Sequence, residues 1–273
     1  MAQRTTVFFR DDDVGAGSDA LRAVVGLLLE AGVPCNYQIV PALLDPATAD
    51  FLRALRERHP GLVELNQHGN RHRRVAAGQE LWAEFGGGRS YADQRGEIEA
   101  GRQRLARLLG DALGDSVFTP PCHKFDAATL RALVGIGVTV LSAGVRTGPL
   151  ARAHYALGRA LGRAFVLGHK VSHHGGVIPG FGLAEVSVAI DVDEDVDRSG
   201  RRREKSAPEL WREFERARGQ SPIVGVMLHH ETYASARKLE SLRHFVRSLQ
   251  ADPGVAFATI ESIAAPILGS GSA

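Results

Sequence analysis

The run Val7-Phe8-Phe9-Arg10-Asp11-Asp12-Asp13-Val14-Gly15 sets three consecutive carboxylates directly behind an apolar stretch. A strand is expected over 6–9, so the acids would stand just past its carboxyl end. Adjacent carboxylates disfavour each other's ionisation unless a cation or hydrogen-bond donors offset the repulsion. Something positive is therefore expected beside them. The competing reading is a solvated acidic turn ahead of a helix opening near Asp19, because anions favour helix N-termini.

Working outward, short β-prone runs alternate with longer segments whose apolar residues recur at three- and four-residue spacing. Strands are expected at 6–9, 35–40, 62–65, 116–119, 138–142, 185–190, 223–228 and 255–258. Helices are expected at 19–31, 46–58, 91–113, 126–134, 207–218 and 235–249. Several carry end signals: Ser18 or Asp19 before the first, Gly32 after it, Asp126 opening the fourth, and Ser206 with Pro208 opening the fifth. Strand–helix alternation with this many units indicates an α/β barrel or a doubly wound sheet. In both, functional residues gather past the carboxyl ends of strands. Asp11–Asp13, His68, the segment 120–124 and the segment 229–231 all occupy such positions, so parallel strands would bring them to one mouth.

The chain has 273 residues, 44% hydrophobic and 23% charged, which is ordinary globular composition and long enough to fold without a disulfide or structural metal. No linker or repeat interrupts the pattern, so 1–273 reads as one domain with a short flexible C-terminal tail. The formal charge of +2, from 33 basic against 31 acidic residues, gives no reason to expect a nucleic-acid partner. Two cysteines, Cys35 and Cys122, make no disulfide framework, and 1–10 lacks an apolar signal segment. No run reaches the ~18 apolar residues of a membrane span. A cytoplasmic protein is the expectation, and assembly with copies of itself stays open.

The second chemical element is Glu64-Leu65-Asn66-Gln67-His68-Gly69-Asn70-Arg71-His72. Two imidazoles four apart would share one side of a helical turn and reach a single ion. Zn²⁺ favours nitrogen donors, with three protein ligands and one open position in catalytic sites. Paired histidines also occur on solvated helices. With acids at another strand end, a two-His, one-Asp site explains both clusters better. The third and fourth elements are Phe118-Thr119-Pro120-Pro121-Cys122-His123-Lys124 and Gly225-Val226-Met227-Leu228-His229-His230-Glu231. A double Pro stiffens a rim, and a histidine past a strand can act as a general acid. A plain turn and a packed histidine are the bland alternatives.

In this order the four pieces resemble the NodB-type polysaccharide deacetylases, carbohydrate esterase family four. That family has an Asp-Asp pair after the first strand, then His-Ser/Thr-x-x-His, then Arg-x-Pro, then Leu-x-His or Leu-x-x-His. Asp12-Asp13, His68-Gly69-Asn70-Arg71-His72, Pro120-Pro121 and Leu228-His229 are the corresponding residues, over roughly 5–232. The resemblance implies a distorted (β/α) barrel of about seven strands. It implies Asp13, His68 and His72 as ligands of a divalent metal, Zn²⁺ or another such as Co²⁺, Mn²⁺ or Ni²⁺. It further implies Asp12 as the general base, His229 as the acid that protonates the departing amine, and a backbone N–H near Pro121 or Cys122 as an oxyanion donor.

Three departures stand out: Val14 replaces the usual Gly, Gly69 the Ser/Thr, and the third motif lacks its Arg, for which Lys124 or Arg10 could substitute. A register with Asp11 as base and Asp12 as ligand stays open, although Asp13 before Val14-Gly15 aligns better. Cys122 and His123 are placed to offer a further ligand. His169, His173 and His174 suggest a loop at the mouth, with His174 able to contact substrate, although solvated histidines are the simpler reading. The acidic run Asp191-Val192-Asp193-Glu194-Asp195-Val196-Asp197 lacks the Gly of a calcium loop. It reads as an exposed stretch screened by Arg201-Arg202-Arg203. The functional expectation is removal of an acetyl or formyl group from the nitrogen of an amino sugar or small saccharide. A metal-independent barrel acting on a ureide or cyclic amide, and a non-catalytic saccharide-binding relative, are the alternatives.

Overall fold

The computed structural model describes residues 4–76, 79–81, 83–196 and 202–270. The chain runs β1 (Thr5–Val14), α1 (Asp19–Glu30), β2 (Cys35–Ile39), α2 (Pro46–Arg58) and β3 (Val63–His68), then the small pair β4 (Arg74–Ala76) and β5 (Gln79–Leu81). It continues through α3 (Tyr91–Leu109), β6 (Val117–Thr119), α4 (Ala127–Gly135), β7 (Val140–Leu141) and α5 (Pro149–Ala160). Five short strands follow: β8 (Phe165–Val166), β9 (His169–Lys170), β10 (Gly176–Ile178), β11 (Leu183–Glu185) and β12 (Val188–Asp191). The hairpin β13 (Glu194–Val196) and β14 (Arg202–Glu204) leads into α6 (Ala207–Arg218), β15 (Ile223–Leu228), α7 (Ala236–Ala251), β16 (Val255–Phe257) and α8 (Ile260–Gly269). The tail expected after α8 lies outside the described residues.

The main sheet is ordered β10-β11-β7-β6-β3-β2-β1-β15-β12, parallel throughout except for β10 with β11. Closure comes from the run 183–191. Its first half pairs with β7, its second half with β15, and Val188 also bridges Gly144. The sheet thus curls on itself as a ring of about seven strands, the distorted barrel expected from the sequence. β16 is an added parallel strand on the amino-terminal half of β1, on the edge opposite β15 that β2 takes from Phe9 onward.

Strand alternation sorts the side chains. Val7 and Phe9 of β1, with Cys35, Tyr37 and Ile39 of β2, face outward into the core shared with α1, α2, α6 and α7. Phe8 faces inward, where α8 closes the amino-terminal end of the barrel with Ile260 and Ile263. Gly225 makes room for the Phe8 ring, since a Cβ there would lie 2.3 Å from it.

Two strands run further than their apolar content suggests. β1 continues through all three aspartates to Val14, and β3 through Asn66, Gln67 and His68, with every one of these polar residues buried except the half-buried Asp13. Other readings shrink. The expected strand 138–142 is only Val140–Leu141, the run 185–190 divides into β11 and β12, and α3 gives way to a 3-10 turn at Gly110–Ala112.

Candidate metal centre and active site

Arg10 and Asp12 lie two apart on the inner face of β1, and both are buried. The guanidinium grips the carboxylate with both arms, Nε to Oδ1 at 2.7 Å and Nη2 to Oδ2 at 2.8 Å. Its Nη1 reaches across the barrel to the Ser142 hydroxyl at 2.9 Å and carbonyl at 3.1 Å. A buried ion pair is tolerable when geometry and remaining donors are satisfied in this way. Arg10, and not Lys124, is therefore the cation that holds Asp12. Burial pushes the Asp12 carboxyl up, but the Arg10, His68, His229 and His123 charges outweigh it and hold its pKa below the ordinary value.

Regular alternation would turn Asp13 to the opposite face. Instead the pairing of β1 with β2 slips between Asp11 and Val14, and Asp13 takes a left-handed φ of 62°. Such bulges re-aim a side chain next to active sites. Asp11, by contrast, points outward and accepts the His230 N–H at 2.9 Å, with the His230 ring nitrogen 3.1 Å away. The register using Asp11 as base is not what the structure builds.

His68 ends β3, with Nδ1 at 3.0 Å from the Thr119 carbonyl. That carbonyl can only accept, so the ring proton sits on Nδ1 and the Nε2 lone pair is left for other use. Nε2 lies 3.1 Å from Asp13 Oδ1, and His72 Nε2 lies 3.0 Å from the same oxygen. Asp13 Oδ1 is buried without a hydrogen-bond donor. Two ring nitrogens this close to one carboxylate oxygen are bridged either by imidazole N–H donors or by a cation, and one carboxylate with two imidazoles is a fitting donor set for Zn²⁺ or a similar ion. The donor atoms of Asp13, His68 and His72 all lie within 4.8 Å of one another. Cys122 and His123 do not join this group; burial and the Arg10 charge push the His123 pKa down to about 3.

The route by which His72 arrives differs from expectation. The segment after His68 is not a helical turn. Gly69 and His72 adopt left-handed φ values of 60° and 61°, and the Glu84 carboxylate takes the N–H groups of Asn70, Arg71 and His72 at 2.9, 3.1 and 3.2 Å. A Cβ on residue 69 would lie 2.3 Å from Glu84 Oε2 and 2.6 Å from Pro121 Cγ. That contact explains Gly69 in place of Ser or Thr: Glu84 fills the space and ties the loop. Nothing in the local sequence marked Glu84 for this role.

His229 follows β15, with Nε2 3.9 Å from Asp13 and Nδ1 2.5 Å from Asp193. Asp193 is buried and also accepts from the Thr232 hydroxyl at 3.0 Å, with Lys238 at 3.7 Å. The sequence places it in an exposed, mutually screened run; only Glu194–Val196 of that run form the facing hairpin with Arg202–Glu204, and Asp197 and Arg201 lie outside the described residues. Burial lowers the His229 pKa, but the Asp193 hydrogen bond and the charges of Asp12, Asp193 and Asp13 push it up to about 10.

At the rim, Pro121 is buried against the Gly69 loop and, as a proline, offers no N–H. The amides of His123 and Lys124 close on the carbonyls of Pro120 and Pro121. Cys122, left-handed at φ 52°, is left as the amide of this turn without a carbonyl partner among the described residues. Lys124 is exposed nearby. His174 is not at the mouth: its ring lies 2.9 Å from the carbonyl of Ile223, at the amino-terminal start of β15, and 2.9 Å from the Ser187 N–H. Both ring nitrogens are occupied by backbone, which makes it a packing residue.

No protein-family model and no curated protein matches the sequence. Solved structures do match the fold. A presumed polysaccharide deacetylase from Mycobacterium smegmatis superposes over 98% of this chain and 92% of its own, with a TM-score of 0.68 at 17% identity. A family 4 acetyl xylan esterase from Clostridium thermocellum, solved with a cobalt ion, matches over 96% and 91%, with a TM-score of 0.56 at 13% identity. A family 4 pseudoenzyme from Bacillus anthracis matches over 96% of this chain and 66% of its own, with a TM-score of 0.56 at 11% identity. Among the described residues, no helix is long and apolar enough to cross a membrane. The fold of this chain is that of the NodB-type polysaccharide deacetylases, in a divergent form.

Proposed function

We propose that the protein is a metal-dependent amide hydrolase that removes an N-acetyl or N-formyl group from an amino sugar or related small saccharide. The observation that carries this reading is the division of labour between neighbouring acids. Asp13 is turned onto His68 and His72, while Asp12 is kept apart from them by Arg10. A divalent cation held by Asp13, His68 and His72, Zn²⁺ or Co²⁺, Mn²⁺ or Ni²⁺, would supply Lewis acidity toward the amide carbonyl and acidify a water.

The chain's own groups do the remaining work. Asp12 accepts the proton of the attacking water, and Arg10 fixes the direction in which its oxygens face. The Cys122 N–H donates to the oxygen that becomes negative as the carbonyl carbon turns tetrahedral. His229, kept protonated by Asp193, gives its proton to the departing amine. The cobalt-bearing esterase of the same fold supports a metal in this barrel. The pseudoenzyme neighbour makes a non-catalytic saccharide binder the second reading. Against that reading stands the complete set of ligand, base and acid, with Arg10 in place of the missing Arg.

The test is metal content by elemental analysis together with acetate release from N-acetylated monosaccharides under added Zn²⁺ or Co²⁺. About one ion per chain and turnover are expected, with both lost in His68→Ala and Asp13→Ala. Turnover by the metal-free chain would favour a metal-independent amidohydrolase, and a bound ion without turnover the non-catalytic binder.

A further inference from the structure

A cavity of about 730 Å³ adjoins the centre, sharing Cys122, His123, Asp191 and Met227 with its surroundings. Small-molecule sites fall between about 300 and 1,000 Å³. The charge on the wall is uneven. Lys124, Arg146 and Lys170 line it against Asp126 and Asp191. Asp126 is spent within its own helix cap, accepting the Ala128 and Thr129 amides at 3.0 and 3.1 Å. Asp191 accepts the Asp193 N–H at 2.9 Å.

The cations are less well matched. Lys170 donates to the carbonyls of His123 and Gly144 at 3.2 and 3.1 Å and stands 5.1 Å over the Phe125 ring. No acid pairs with Lys124 or with the Arg146 guanidinium among the described residues. Burial and the charges of Arg146, Lys124 and Arg10, against the pull of Glu185, bring the Lys170 pKa down to about 8, so the cations share one field. His154 on the same wall has a buried Nε2 without a partner. α5 lines the cavity in its first turn with Leu150 and Ala151, its Gly148 cap supplying no side chain to the first-turn amides.

We propose that this cavity binds an anion: the N-acylated substrate carries a phosphate or carboxylate group that Lys124 and Arg146 neutralise. The amide part rests on the hydrolase reading above; the anion site does not. A neutral glycan would leave both cations without a counter-charge, whereas either anionic group accepts charge-assisted hydrogen bonds from them.

Isothermal titration of the full chain with glucose, glucose 6-phosphate and glucuronate tests the site with ligands that lack an amide. At least one charged sugar is expected to bind ten-fold or more tighter than glucose, with the advantage shrinking in added salt and disappearing in Lys124→Gln/Arg146→Gln. Preference for the phosphate or for the carboxylate identifies the group. Equal binding of all three, or a preference that survives the double variant, overturns the proposal. Circular dichroism checks folding, and Arg146→Gln, at an exposed position, is read alone if the double variant unfolds. Acetate release from N-acetylglucosamine 6-phosphate with Zn²⁺ is followed separately. Binding of glucose 6-phosphate without acetate release from its N-acetylated analogue would refute hydrolysis of that substrate and leave the anion site standing.

Discussion

The residue with most consequence is Arg10, which no single motif marks because it precedes the acids it serves. Its two-armed grip cannot be copied by an ammonium. Arg10→Lys is expected to lower kcat/KM by on the order of 10²-fold, since Asp12 loses its direction, and to destabilise the fold by less than the ~3–5 kcal/mol of removing one partner outright, because the charge is kept. Urea unfolding and steady-state kinetics separate the two effects, and elemental analysis should show the metal retained. Asp193 acts on His229 in a comparable way. Because the folded-state pKa of His229 is raised to about 10 from an ordinary 6.5, the interaction is fully present below pH 6.5 and fades as pH rises through 10. In Asp193→Asn the alkaline limb of the kcat/KM profile should move down toward ~6.5, with the acid limb unchanged. An unmoved alkaline limb would remove His229 from the role of acid.

At the scale of elements, the loop between β3 and β4 shows how a divergent motif keeps its geometry. Three successive amides turn onto the Glu84 carboxylate, which replaces the contacts a helix would have made. Glu84→Gln keeps an acceptor but removes the charge. It should weaken metal binding by roughly 10–100-fold, as loss of an outer support does, in competition titrations with a chromogenic chelator, while the melting temperature moves little. The two helices absent from the sequence reading have separate causes. α5 buries only Tyr155 and Gly158, and leaves Leu150, Leu157 and Leu161 exposed, so it has no buried apolar stripe to read. α8 carries Pro266 in its interior, a residue that argues against a helix.

For the whole molecule, the proposed ligands come from β1, β3 and the loop beyond it, so a bound ion would tie these segments together. Zn²⁺ at about 100 times its Kd should stabilise the fold by about 2.7 kcal/mol, visible as a rise in Tm that chelator reverses and His68→Ala abolishes. The strand–helix alternation and the gathering of acids and histidines past strand ends were legible in the chain, because apolar periodicity and strand-end chemistry are local properties; periodicity left a barrel and a doubly wound sheet open, and the barrel with Asp13, His68 and His72 as one set followed from the family resemblance. What the sequence by itself determined is therefore a parallel α/β sheet and the kinds of side chain past its strand ends. Only the tertiary structure decided that Arg10 holds Asp12, that Glu84 shapes the His72 loop, that Asp193 charges His229, and that His174 packs at the far end. Each of these depends on one buried polar group meeting another from a different part of the fold, and no spacing along the chain encodes that meeting.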